Sequence, residues 1–175
     1  MKNIFISLSL FFATAVSAQV AIGKPSVSSP SASLEFYDNA DNARGIILPW
    51  VNSTAAVSGA VNGTLVYNTS DKKIYVKYAS GWKDLSVDTT GTVNTTLQDS
   101  LTDDAAAKSV IGGNPATDTT PGILVLADTD KAMILPKVSS PHLTVVNPSP
   151  GMMVYDPVKK QLAVFNGTVW SFWKP

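Results

Sequence analysis

The chain has 175 residues, no cysteine, one histidine and a formal net charge of zero, with Arg44 the only arginine and Glu35 the only glutamate. These counts exclude a disulfide framework and thiolate chemistry, and a two-histidine metal site within one chain. They leave no basic surplus for phosphates, so nucleic acid is not an expected partner.

In chain order, the first segment is 1–18. Met1-Lys2-Asn3 gives a short positive start, Ile4 to Val16 an apolar run, and Val16-Ser17-Ala18 the small residues of a cleavage site. This pattern predicts a signal peptide cut after Ala18, because the run is too short to span a bilayer comfortably. The expectation is an exported chain, located in the periplasm, at the cell surface or outside the cell, with no membrane insertion. Residues 19–31 read as an extended N-terminal segment.

Residues 32–85 and 121–175 form two related segments. Ile46-Ile47-Leu48-Pro49 matches Met133-Ile134-Leu135-Pro136, and Gly63-Thr64-Leu65-Val66-Tyr67-Asn68 matches Gly151-Met152-Met153-Val154-Tyr155-Asp156. Lys72, Ile74, Val76 and Trp82 match Lys160, Leu162, Val164 and Trp170 at a constant offset of 88. Landmarks that keep order and spacing indicate a duplication.

Each copy reads as β. Earlier strands are expected around Leu34–Tyr37 and Ile46–Leu48, with counterparts at Ile123–Leu126 and Met133–Leu135; Pro49 and Pro136 end the latter of each pair. Leu65-Val66-Tyr67 is apolar without alternation, so burial on both faces is expected. Ile74, Val76 and Tyr78 then alternate with Lys73, Tyr75 and Lys77, and Trp82–Leu85 follows a turn. In the second copy that turn is Asn166-Gly167, a hairpin dipeptide that tolerates positive φ. The fold class is therefore mainly β, with two related meander modules of short antiparallel strands joined by a polar linker. A module of this size lacks a sufficient core and has an open edge, so the copies should pack together or against other chains.

The linker, residues 86–120, is rich in Thr, Ser, Asp, Gly and Asn and has no aromatic residue. Leu97, Leu101 and Ala105 lie four apart, which allows one short helix between Thr96 and Val110, with an extended loop as the equal alternative.

These landmarks resemble those of small exported proteins of Bacteroidetes-type bacteria whose segments look like modules of phage tail-fibre proteins. Arg44-Gly45-Ile46-Ile47-Leu48-Pro49, the two Gly-x-x-Val-Tyr-Asn/Asp motifs and Phe165-Asn166-Gly167-Thr168-Val169-Trp170 carry the resemblance. The first copy departs from it with Tyr78-Ala79-Ser80-Gly81, the second with Lys131-Ala132. Gly63, Tyr67, Trp82, Gly151, Tyr155, Asn166, Gly167 and Trp170 are the repeat-defining structural positions. The resemblance implies a homo-oligomer, with a trimer favoured.

Candidate chemistry is sparse. His142 lies in a proline-flanked loop without a nucleophile motif, so no catalytic residue is assigned. Asp38, Asp41, Asp128 and Asp130 cluster at matching places in the two copies; turn formation is the favoured reading and a weak calcium site the alternative. No cofactor is expected. Trp82 and Trp170 read as matched core residues, whereas Trp50 and Trp173 lack an aromatic counterpart and are the candidate contact residues. Thr89, Ser100 and Thr119 follow aspartates in Asp-Ser/Thr-x triplets resembling O-glycosylation sites of such bacteria. The expected function is a non-enzymatic structural or adhesive protein contacting cell-surface proteins or glycans. The alternative is a carbohydrate-binding module.

Overall fold

The computed structural model describes residues 19–37, 44–102, 104, 107–114 and 116–174. The predicted signal peptide and the Asp38–Asp41 cluster lie outside the described residues.

The chain is mainly β, arranged in several small sheets. β1 (Val20–Ile22) and β2 (Ala32–Phe36) are parallel neighbours. β3 (Ile46–Ile47) and β4 (Trp50–Val51) flank Pro49. β5 (Leu65–Asn68), β6 (Lys73–Tyr78) and β7 (Gly81–Asp84) form the first antiparallel meander, with β4 parallel on its β5 edge. β8 (Ser109–Ile111) and β9 (Leu124–Leu126) form a second parallel pair. β10 (Ala132–Ile134) precedes the short helix α1 (Pro141–Thr144). β11 (Met152–Asp156), β12 (Gln161–Phe165) and β13 (Trp170–Trp173) form the second meander.

Sequence duplication appears as duplicated hydrogen bonding. The Tyr67 N–H donates to the Pro49 carbonyl at 2.9 Å, and the Tyr155 N–H to the Pro136 carbonyl at 2.9 Å. Proline cannot donate to a ladder, but its carbonyl still accepts. The Gly63 N–H donates to Lys77 and the Gly151 N–H to Phe165, both at 2.8 Å. The first tight turn has Lys72 at φ 61° and Lys160 at φ 53°. Asn68 Oδ1 accepts from the Ser70 N–H, and Asp156 Oδ1 from the Val158 N–H. These are Asx turns, in which a short side chain substitutes for a backbone acceptor.

The equivalence reaches further toward the N-terminus than the landmark motifs. The Tyr37 N–H donates to Ile22 at 2.9 Å and the Ala127 N–H to Ile111 at 2.8 Å, so β1–β2 corresponds to β8–β9. β8 therefore falls inside the stretch read as polar linker. The helix anticipated there is absent from its described residues. Thr96–Ser100 is a run of turns closed on the Thr95 carbonyl, and the short helix lies instead at Pro141, whose fixed φ suits a first helical position. Leu97 and Leu101 remain exposed, so no apolar contact stabilises a longer helix in that stretch.

One core cluster comprises Leu48, Tyr67 and Ile74 from the first copy with Met153 and Val164 from the second. A second lies within copy two, with Val138, Met152, Val154, Ala163 and Phe165. Val66, Tyr67, Met153 and Val154 are all buried, as the unbroken apolar character of β5 and β11 predicts.

Candidate interaction surface

The surface through which the two copies join is built by exchanged strands. β3, from copy one, pairs antiparallel with β11 of copy two, with Ile47 opposite Met152 and Ile46 opposite Met153. The Leu48 N–H extends this ladder to the Gly151 carbonyl at 3.1 Å. β10, from copy two, pairs parallel with β2 of copy one, aligning Met133 with Leu34 and Ile134 with Glu35. The ladders satisfy backbone groups that each copy alone would leave open.

Small residues permit the approach. A Cβ at Gly45 would lie 2.5 Å from Met152 Cγ, and one at Gly151 would lie 2.9 Å from Tyr67 Cβ. The buried Tyr67 hydroxyl donates to the Asn166 carbonyl at 2.7 Å. Its pKa is pushed up from 10 to about 12, by burial first and then by the Asp71 carboxylate, which keeps it a donor well into alkaline pH. The indole N–H of Trp50 donates to the Pro150 carbonyl at 2.9 Å.

A strap from the end of copy one completes the joint. Asn166 Nδ2 donates to Asp88 Oδ1 at 3.1 Å, Thr168 Oγ1 to the Thr90 carbonyl at 2.9 Å, and Thr92 Oγ1 to the Gly167 carbonyl at 3.2 Å. Gly91 and Gly167 are packed against backbone so closely that no side chain fits at either. Asn166 and Gly167 thus hold the strap as well as turning the chain. The motif reading covers only the turn, and Gly91 is the one cue in the strap's sequence to such close backbone packing.

Beside this joint lies an ion pair. Glu35, fully buried on β2, accepts from Lys24 Nζ at 2.6 Å and from the Ser28 N–H and hydroxyl. Burial opposes its charge, but these partners outweigh burial and hold the carboxyl down at about 2.

The remaining candidate residues do not converge. Trp50 is half-buried, tilted against Tyr67 with ring centroids 6.2 Å apart, and lines an open depression with Ile47, Leu48, Gln98 and Ser149. Trp173 lies on β13, 47% exposed, and does not line that depression. Trp170 packs against Phe165, while Trp82 is half-buried opposite Lys77. Asp128 accepts from the Gly113 N–H, Lys131 and Ser33, and these partners hold its carboxyl below the usual range. Asp130 is exposed, and the described residues contain no cluster of three potential metal ligands. His142 is exposed, edge-on to Phe172 at 5.6 Å. Thr89, Ser100 and Thr119 are all exposed; Asp88 and Asp118 accept from the Thr90 and Thr120 N–H groups in Asx turns that flank two of them. No helix among the described residues is long and apolar enough to cross a membrane.

Residues 112–174 match the family model described as "Phage tail like trimerisation region". The matched stretch contains β9 to β13, the greater part of one repeat, so the resemblance to phage-tail modules holds for the second copy. No curated protein and no solved structure matches the chain.

Proposed function

We propose that this protein is an exported structural or adhesive β-repeat protein of the cell surface or an extracellular appendage. It works by self-association and contact, with no bond made or broken. The observation that carries this reading is strand exchange: each repeat completes a sheet of the other, which is how an association module behaves. The match of the second copy to a trimerisation region supports a homotrimer. Export rests on the charge, apolar run and small residues of segment 1–18.

The carbohydrate-binding alternative has less support. Trp50 is engaged by Pro150 and Tyr67, and Trp173 lies on a different sheet. The deciding experiment is light scattering on the protein purified from the surface or medium fraction of its producing cell. A mass of three chains, each starting at Gln19, is expected. A monomer at every concentration, or retention in the cytoplasm with an intact N-terminus, overturns the reading.

A further inference from the structure

The two repeats provide an internal comparison of the same positions with and without a neighbour. Leu34 on β2 is covered by β10 and is 1% exposed; Leu124, its counterpart on β9, is 48% exposed. Met153 on β11 is covered by β3 and is 2% exposed, whereas its counterpart Leu65 on β5 is only half-buried. Gly151 receives Tyr67, while a Cβ at the matching Gly63 would meet nothing within 4 Å. Tyr67 is buried, while its counterpart Tyr155 is half-buried.

The unfilled positions fall into two sets. Among the described residues, β9 and β10 each end a sheet, and with Tyr155 they make up one set, on copy two. β3 also ends a sheet, and with the N-terminal half of β5 and Gly63 it makes up the other set, on copy one. The first set offers what copy one offers to copy two inside the chain. The second set offers what copy two offers in return.

We infer that these faces bind one another between chains, so that the occupant of each is a second copy of this chain, joined head to tail. β3 of one copy adds to β9 of the preceding copy, with Ile46 beside Leu124. β10 of the preceding copy pairs with the N-terminal half of β5, and its Tyr155 covers Gly63. The contact repeats the joint already seen between the two repeats, so it needs no new surface chemistry. A heterologous contact of this kind closes into a ring when its rotation permits, and a three-chain ring agrees with the trimer proposed above. The inference rests on that self-association and adds its surface and register.

The test uses a chain carrying Ile46→Cys and Leu124→Cys, which are its only cysteines. Oxidation is expected to give covalent dimers and trimers whose linked peptides contain residues 46 and 124. A chain with Leu34→Cys and Met133→Cys, the matching pair inside the molecule, is expected to close internally and serves as the geometric control. Leu124→Lys, at an exposed position, is expected to raise the concentration needed for assembly at least tenfold while leaving the monomer folded. A protein that is monomeric throughout overturns both this inference and the proposed function. An oligomer without the 46–124 link overturns the head-to-tail contact alone.

Discussion

Glu35 shows how much can depend on one residue at the joint. It is the only glutamate, it is fully buried, and its carboxylate is held by Lys24 and Ser28. The folded carboxyl titrates at about 2, below its ordinary 4.5. A depressed folded pKa contributes stability that is present above the unfolded value and lost as pH falls through the folded one. The protein should therefore lose stability between about pH 4.5 and pH 2. Water still reaches Lys24, and screening reduces the linked contribution to about 1–2 kcal/mol. Glu35→Gln is expected to lower stability at pH 7 and to flatten the acid limb. Urea unfolding at a series of pH values checks both, and an unchanged acid slope would rule out this pair as its source. In the sequence, Glu35 stands out only by being alone of its kind; its partners at Lys24 and Ser28 come from a loop whose course no local pattern specifies.

At the scale of elements, matched glycines separate backbone need from packing need. Gly63 and Gly151 both have positive φ, at 90° and 79°. Alanine at either position pays the left-handed penalty of about 1 kcal/mol. At Gly151 the added methyl also collides with Tyr67 Cβ and approaches Trp50 Nε1. Gly151→Ala should therefore cost about 2–4 kcal/mol, with the collision adding an overpacking term. Gly63→Ala should cost only the smaller amount in a dilute monomer. Thermal melts of the two variants side by side measure the difference, and equal losses would mean that Tyr67 moves aside freely. The meanders were legible because their signals are local: glycine launch, unbroken apolar triplet, Asx turn, alternating strand. Of the parallel pairs, β2 and β9 were legible as the strands expected around Leu34–Tyr37 and Ile123–Leu126, but their partners β1 and β8 were not. β1 and β8 have three residues each, too short for a period, and a parallel partner is not reached by a tight turn that would mark it in the sequence. Of the two equal readings near Leu97 and Leu101, helix or extended loop, the helix has the right spacing, but both leucines are exposed and no helix forms among the described residues there. The contact surface was the least legible part. Trp50 stands out in the sequence as an aromatic without a counterpart, yet the joint is made mainly by backbone edges, which carry no side-chain signature.

For the whole molecule, exchanged strands and the strap make the covalent connection through the turns at Thr96–Ser100 dispensable for holding the halves together. β3 stays in the sheet of copy two and β10 in the sheet of copy one, and the strap from Val87 to Thr92 binds Ser171 on β13 and the Asn166 turn ahead of the exposed turns at Thr96–Ser100. A cut at Leu101 would therefore sever no exchanged strand and no part of the strap, and both ladders would still join the two fragments. Two modules that merely touched would separate once the tether was gone, because a small interface between rigid bodies depends on the effective concentration that a linker supplies. Interleaved ladders instead require strands to be pulled from sheets, breaking backbone hydrogen bonds and exposing Leu34, Met153 and Tyr67 to water. A protease site inserted between Ser100 and Leu101 is expected to yield two fragments on a denaturing gel that co-elute as one species in native size exclusion. Mild denaturant should release them only as the whole fold melts. Fragments that separate in native buffer would show that the linker, and not strand exchange, holds the two repeats together.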